Sequence, residues 1–442
     1  MSPRARSPRS ARASSSGRRT SAPSACNLPR VRRSAALLAG FALIAVLAGG
    51  CGKQSAASGG NILVAVDVPV TGDPYIAQTI KHGVQLAASN VSGTSGGVLV
   101  GQKSYALKTK LYDNHGSARQ AVEDTRSALG AGAVAILTDG TGAAATWQLA
   151  QQKGVPVCIT YDGASGLVDP SKRPNVFRIA PTDHGIAFRY AEYLIPKGLK
   201  IGLLHDDSGY GQEGASDLQK AFSRNPRSVA LRMTLPAGSA DLSAQILRAR
   251  RSGATALLAW AQPSTIAAVL TAARSIGWNV PVYTPPTGSD PYIRQRLADH
   301  PSWIDGLTFA SSRLTAEVGT TPFENFEAQY ESAYGVDKVG VKTSAGQPVV
   351  EPPEFAMYSY DCVNLLAAAL TRAGSTDPRK VQAALNQVTT IGANGDERGF
   401  NQHNHEGVVD DDVYFARFHD MTYAPVKDDP LSSTLPAIPQ TR

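Results

Sequence analysis

Cysteine is scarce in this chain. Its 442 residues hold four, at Cys26, Cys51, Cys158 and Cys362, with no Cys-x-x-Cys pair to suggest a metal site. Cys158 lies in an apolar strand (VPVCIT) and Cys362 on a helix, distant in sequence, so both are expected to be buried, unpaired thiols. A P-loop is also missing, which leaves phosphoryl-transfer chemistry without a candidate. Residues 1–50 contain nine Arg but no Asp, Glu or Lys. Setting those nine aside from the 43 basic residues leaves 34 against 36 acidic ones, so the formal charge of +7 becomes −2 for 51–442. The remaining chain lacks the basic excess of a nucleic-acid binder, and no nucleic-acid partner is expected.

What the first fifty residues do have is the anatomy of an export signal. A basic Ser/Pro/Arg-rich region ends in Arg30-Val31-Arg32-Arg33, and an apolar run follows from Ala35 to Ala48. At about 14 residues that run is too short to span a bilayer comfortably and fits a signal peptide. Gly49-Gly50-Cys51 after it resembles the lipobox of bacterial lipoproteins, although Ala48 stands where a large aliphatic is usual. Cys51 is then the lipidated first residue of the mature chain; the alternative is an ordinary signal peptide with an incidental cysteine. Arg32-Arg33 leaves twin-arginine export open beside the general route. Residues 51–60 read as a flexible tether.

From Asn61 strands alternate with helices, the pattern of parallel βαβ units and of an α/β fold. Ile62–Val68 is a strand, Tyr75 to about Val91 a helix, and Tyr105–Tyr112 a strand. The centre of this half is 132–165, GAVAILTDGTGAAATWQLAQQKGVPVCITYDGAS: a strand, a Gly-rich turn, a helix, a second strand and a second small-residue turn. The two turns fall at the carboxyl ends of neighbouring strands, where open α/β sheets bind ligands. Gly140-x-Gly142-x-x-Ala145 followed by Asp162 imitates a dinucleotide fingerprint, but it opens the third βα unit instead of the first. After residues 180–183 the cycle restarts, with Asp183 read as a helix cap. Helices are expected at 322–334, 355–372 and 377–386, a loop at 335–353, and β character beyond Arg398.

NVFRIAPTDHGIAFRYAEYL is followed by KIGLLHDDSGYGQEG, with Asp206, Tyr210-Gly211 and Gly214 in that order. This ordered set resembles the extracytoplasmic substrate-binding proteins of branched-chain amino acid ABC transporters, and the resemblance covers nearly all of 61–420. Asp241-Leu242-Ser243 and the glycines of 395–407 add to it. The resemblance implies a type I periplasmic-binding-protein fold, two Rossmann-like lobes with parallel sheets joined by a multi-strand hinge. Residues 61–182 plus 308–398 would form one lobe, 183–307 plus 399–425 the other, and 426–442 a disordered tail. The implied protein is a monomer and no enzyme: it closes on a small polar ligand and presents it to the permease subunits of an importer, without cofactor or metal.

By position, the resemblance sets Gly140 and Thr141 against a ligand carboxylate, with Ala164 and Ser165 adding a backbone group and a hydroxyl. Tyr210 would close from the second lobe, while Tyr75 and the turn after Trp260 would line the side-chain pocket. A Gly turn at a helix N-terminus suits an anion on physical grounds as well. One place departs from the family: Thr287 stands where amino-acid binders carry an acid for the ligand ammonium, and Asp290 or Asp162 is left to replace it. The ligand class therefore stays open among amino acids, amides and carboxylates. A ligand-sensing receptor of the same fold and a nucleotide-dependent oxidoreductase are the alternatives. Trp147 is open between packing and ligand contact. His403-x-His405-Glu406, Asp410-Asp411-Asp412 and His205-Asp206-Asp207 read as polar loop and turn residues.

Overall fold

The computed structural model describes residues 57–94, 96–312, 321–408, 413–438 and 440–441. Cys51 and the Asp410–Asp412 run lie outside them. The first α/β unit contains β1 (Ala57–Val68), α1 (Pro74–Ser89), β2 (Val98–Val100), β3 (Lys103–Asp113), α2 (Ala118–Gly130), β4 (Ala135–Thr138), α3 (Ala143–Lys153), β5 (Val157–Ile159) and β6 (Val176–Arg178). Its six-stranded sheet runs β2-β3-β1-β4-β5-β6, parallel except for the β2–β3 pair. β1 is central and covered on both faces, so Ile62, Val64, Ala65, Val66 and Val68 are all buried. Each valine contributes about 1.5–3 kcal/mol by its burial. The turn after β1 becomes α1 because the Asp73 carboxylate accepts the Ile76 N–H and Pro74 pre-sets the first helical position.

The second unit follows with α4 (Asp183–Leu194), β7 (Ile201–Asp206), α5 (Gly209–Ala221), β8 (Val229–Leu235), α6 (Ser243–Arg251), β9 (Ala256–Trp260), α7 (Pro263–Ser275), β10 (Val282–Thr284), α8 (Pro291–Arg296) and β11 (Leu307–Ser312). Beyond it come α9 (Thr321–Tyr334), the hairpin β12 (Asp337–Lys342) and β13 (Pro348–Glu351), and the helices α10 (Glu354–Ala373) and α11 (Pro378–Leu385). The hairpin β14 (Thr389–Ile391) and β15 (Glu397–Gly399) precedes β16 (Val413–His419) and β17 (Thr422–Pro425). The second sheet is seven-stranded, β17-β16-β11-β10-β9-β7-β8, with β16 and β17 antiparallel at one edge. α10 is apolar nearly all round because it packs against α1 and its own neighbour α11 within the first unit. Among the described residues no helix is long and apolar enough to cross a membrane.

Several expectations need correction. Cys158 and Cys362 are joined in a disulfide, which links β5 to α10 across 204 residues of sequence with Cα atoms 6.8 Å apart. Sequence distance concealed the pair, since only the return of α10 to the first sheet brings its thiol to β5. The segment read as a tether ends earlier, because β1 begins at Ala57. β11 stays in the second sheet through Ser312, so the chain returns to the first unit after that residue and not at 308. The loop read at 335–353 is the β12–β13 hairpin, with Val339 and Val341 buried between outward-facing Lys338, Gly340 and Lys342.

The tail is also ordered where it is described. Asp429 and Ser432 are buried, Arg189 pairs with Asp429 at 3.2 Å, and the Gln440 side chain accepts the Tyr423 N–H. Polar side chains satisfying buried backbone groups hold this segment, a kind of anchor that hydrophobic patterning does not reveal.

Candidate ligand-binding cleft

The carboxyl ends of the two sheets face each other across a cavity of about 740 Å³, within the usual range for small-ligand sites. From the first unit it is lined by Asp73, Asp139, Thr141, Gly142, Tyr161 and Asp162 among others, with Phe355 and Tyr358 from α10. The second unit contributes Asp183, Tyr210, Glu213, Gln262 and Thr287.

Gly140 takes φ +122°, and a Cβ there would fall 2.2 Å from the Asp162 Cβ, so the two turns meet only because residue 140 has no side chain. The Gly140 N–H donates to the Thr138 hydroxyl at 3.1 Å, and the Thr141 hydroxyl donates to Asp139. The Ala164 N–H donates to Asp162 Oδ1 at 2.8 Å. Ser165 leans out of the cavity and donates to Asp217 of α5 at 2.7 Å, bridging the two units. Thus each of these four donors already meets a group of the chain itself.

Tyr210 lines the cavity, and the Thr287 hydroxyl lies within hydrogen-bonding reach of its phenol while donating to the Ala261 carbonyl at 3.0 Å. Trp260 does not reach the cleft. It is fully buried behind Tyr210, ring centroids 6.0 Å apart, and fits only because Gly214 has no Cβ to strike it. Tyr75 and Asp290 line a second cavity of about 750 Å³ that shares Gly72, Asp73, Gln262 and Pro263 with the first. Asp290 caps α8 by accepting the Tyr292 N–H at 2.7 Å, and burial, reinforced by nearby Asp73, pushes it up to about 7. Trp147 packs on the apolar cluster of Ala143, Ile159 and Val176 with Arg173 over its ring.

Residues given no ligand-binding role by the sequence also border or support the cavity. Asp183 is the first residue of α4, not its cap; the cap is Thr182, whose hydroxyl accepts the Gly185 N–H at 2.9 Å. Burial first, then Asp162, pushes the Asp183 carboxyl well above the usual range. Burial likewise raises Asp139, Asp162 and Glu213. Arg178, 2 % exposed, supports the second turn from beneath: Nη1 donates to the carbonyls of Asp162 and Ala164 at 3.1 and 3.0 Å. Its Nε and Nη2 donate to Glu406 at 2.7 and 2.6 Å. His405 stacks on Phe177 at 4.1 Å. Of His403-x-His405-Glu406, His405 and Glu406 thus both have structural partners. Among the described residues no group of His, Cys, Asp and Glu is placed to hold a metal ion.

The family model described as periplasmic binding protein matches residues 61–422. The chain belongs to that family. Among its relatives, the periplasmic binding protein is similar to Leu/Ile/Val-binding protein homolog 1 of Brucella abortus (strain 2308), at 24% identity, covering 79% of this chain and 88% of the relative. It shares its fold with the leucine binding protein LivK of Thermotoga maritima MSB8, at TM-score 0.68 and 18% identity, over 83% of this chain and 97% of that one. A solute binding protein of an ABC transporter from R. palustris, solved with benzoate, matches at TM-score 0.66 and 17% identity, over 83% and 95% of the two chains. As a periplasmic binding protein, the chain is a ligand-binding α/β protein with a largely parallel sheet in each half.

Proposed function

We propose that this protein is an extracytoplasmic solute-binding lipoprotein, anchored to the bacterial membrane through Cys51. It captures a small polar molecule by closure of its two lobes and delivers it to the permease of an ABC-type importer, acting as a monomer without chemistry of its own. The observation that carries the reading is the cleft of about 740 Å³ between the two sheets, into which both units direct aromatic and polar side chains. Family membership supports it, and so does the Cys158–Cys362 disulfide, since such bonds persist in oxidising compartments outside the cytoplasm. One structural neighbour is named for leucine and another was solved with benzoate, which supports a ligand among amino acids, amides and related carboxylates.

A thermal-shift screen of the purified protein against amino acids, amides, urea, carboxylic acids and amines tests this. A true ligand raises the melting temperature by mass action. Silence across the whole screen would remove the transport reading. Anchoring is tested separately: Cys51→Ser should move the protein from the membrane fraction to the soluble one, and unchanged fractionation would contradict lipidation.

A further inference from the structure

Five carboxylates line the cleft, Asp73, Asp139, Asp162, Asp183 and Glu213, and among the described residues lining it there is no lysine or arginine. Arg178 lies close by, but its guanidinium is taken up by Glu406 and two carbonyls. Asp183 is only 3 % exposed, and its Oδ2 has no hydrogen-bond partner although it borders the cavity. A buried carboxylate oxygen without a donor is costly in a folded protein and calls for a counter-charge or a donor from a ligand. The groups that would grip a ligand carboxylate are already engaged with acceptors of the chain, three of them carboxylates. An anion entering here would meet acids with their donors occupied. A cation would meet the same acids with no lysine or arginine lining the cavity to neutralise them, and Asp183 Oδ2 with no donor at all. The cavity also offers the rings of Tyr161, Tyr210, Phe355 and Tyr358, with Tyr161 and Phe355 edge to face at 5.5 Å, and such faces attract organic cations.

We infer that the cleft takes an organic cation, an amine whose ammonium sits against Asp183 and Asp162 and whose apolar part lies among Tyr161, Tyr210 and Phe355. This rests on the cleft being the solute site and narrows the ligand to molecules that need no carboxylate. Thr287 then has no missing acid to explain, since the charge partner has moved to the start of α4 and the turn after β5.

Isothermal titration with four molecules of one shape tests it: 3-methylbutylamine, leucine, 4-methylpentanamide and 4-methylpentanoate, with choline and ethanolamine as further cations. The amine should bind more tightly than the zwitterion, and the acid should show no binding. Asp183→Asn and Asp162→Asn keep the shape of the side chains, and the amide oxygen introduced by Asp162→Asn can still accept the Ala164 N–H. Each should weaken cation binding roughly thirtyfold or more by removing a buried charge partner, while the unliganded melting temperature stays level or rises. Should one of the two fail to fold, the other still carries the test. Binding of the acid, the amide or leucine in preference to every amine, or cation binding unchanged in both folded variants, overturns the inference and leaves the solute-binding reading standing. No stabilisation by anything in the broad screen overturns both.

Discussion

Arg178 is the buried support of the cavity-facing turn at 162–164, and its partner Glu406 lies 228 residues further along the chain. Replacing Glu406 with Ala leaves a guanidinium that is 2 % exposed without the acceptor for its Nε and Nη2. Breaking a buried pair from one side costs about 3–5 kcal/mol. The Glu406 side chain is 24 % exposed, so water can reach the vacated place, which puts the expected loss near the lower end, about 3 kcal/mol. Arg178→Met instead leaves a carboxylate that can rehydrate and two carbonyls without their donor. The double variant buries no unpaired charge, and should be more stable than Glu406→Ala alone by about 1–2 kcal/mol. Urea denaturation followed by tryptophan fluorescence gives all four stabilities, provided the m values agree. If the two single losses simply add, the pair is not coupled and Glu406 does not act by neutralising Arg178.

Other consequences can be checked on the same protein. Replacing both Cys158 and Cys362 with Ala should cost about 2–5 kcal/mol, because the disulfide closes a long loop; an unchanged denaturation midpoint would exclude that role. Asp67, 4 % exposed, is pushed up to about 8 by burial first and then by Asp124 and Asp139. The folded chain therefore holds this proton more tightly than the unfolded one. The stability it contributes is full below about pH 4 and is lost as pH rises towards 8. Asp67→Asn should flatten the fall in melting temperature over that window and raise the value at its alkaline end; an identical slope would refute the assignment. Tyr210→Ala should weaken ligand binding about tenfold or more while the fold is kept, since the ring presents its area to the cleft from α5. Unchanged affinity would place the ligand elsewhere.

Much of the fold was legible because its cues are local and periodic. The βα alternation marked the strands and helices of both units, and the two turns around Gly140 and Asp162 fell where the sheet ends. The β12–β13 hairpin was missed because its Gly and Pro content outweighed a clear alternation, Val339 and Val341 against Lys338 and Lys342. The disulfide, the Arg178–Glu406 pair and the anchored tail are long-range pairings, for which one sequence carries no periodic signal. At the site, the turns were placed by position but their donors were not. Gly140, Thr141, Ala164 and Ser165 do occupy the turns, yet each serves an acceptor within the chain, and Asp183 looked like an ordinary helix-start residue. Only the facing of the two sheets shows that this carboxylate borders a cavity.

The central claim is that the ligand sits between the two sheets, and a crystal structure with the most stabilising molecule from the screen tests it most directly. Ligand density is expected within the space enclosed by Asp162, Asp183, Tyr161 and Tyr210, with any positive group on the Asp183 side. Density confined to the neighbouring cavity beside Asp290 and Glu351, or to the outer surface, would contradict it.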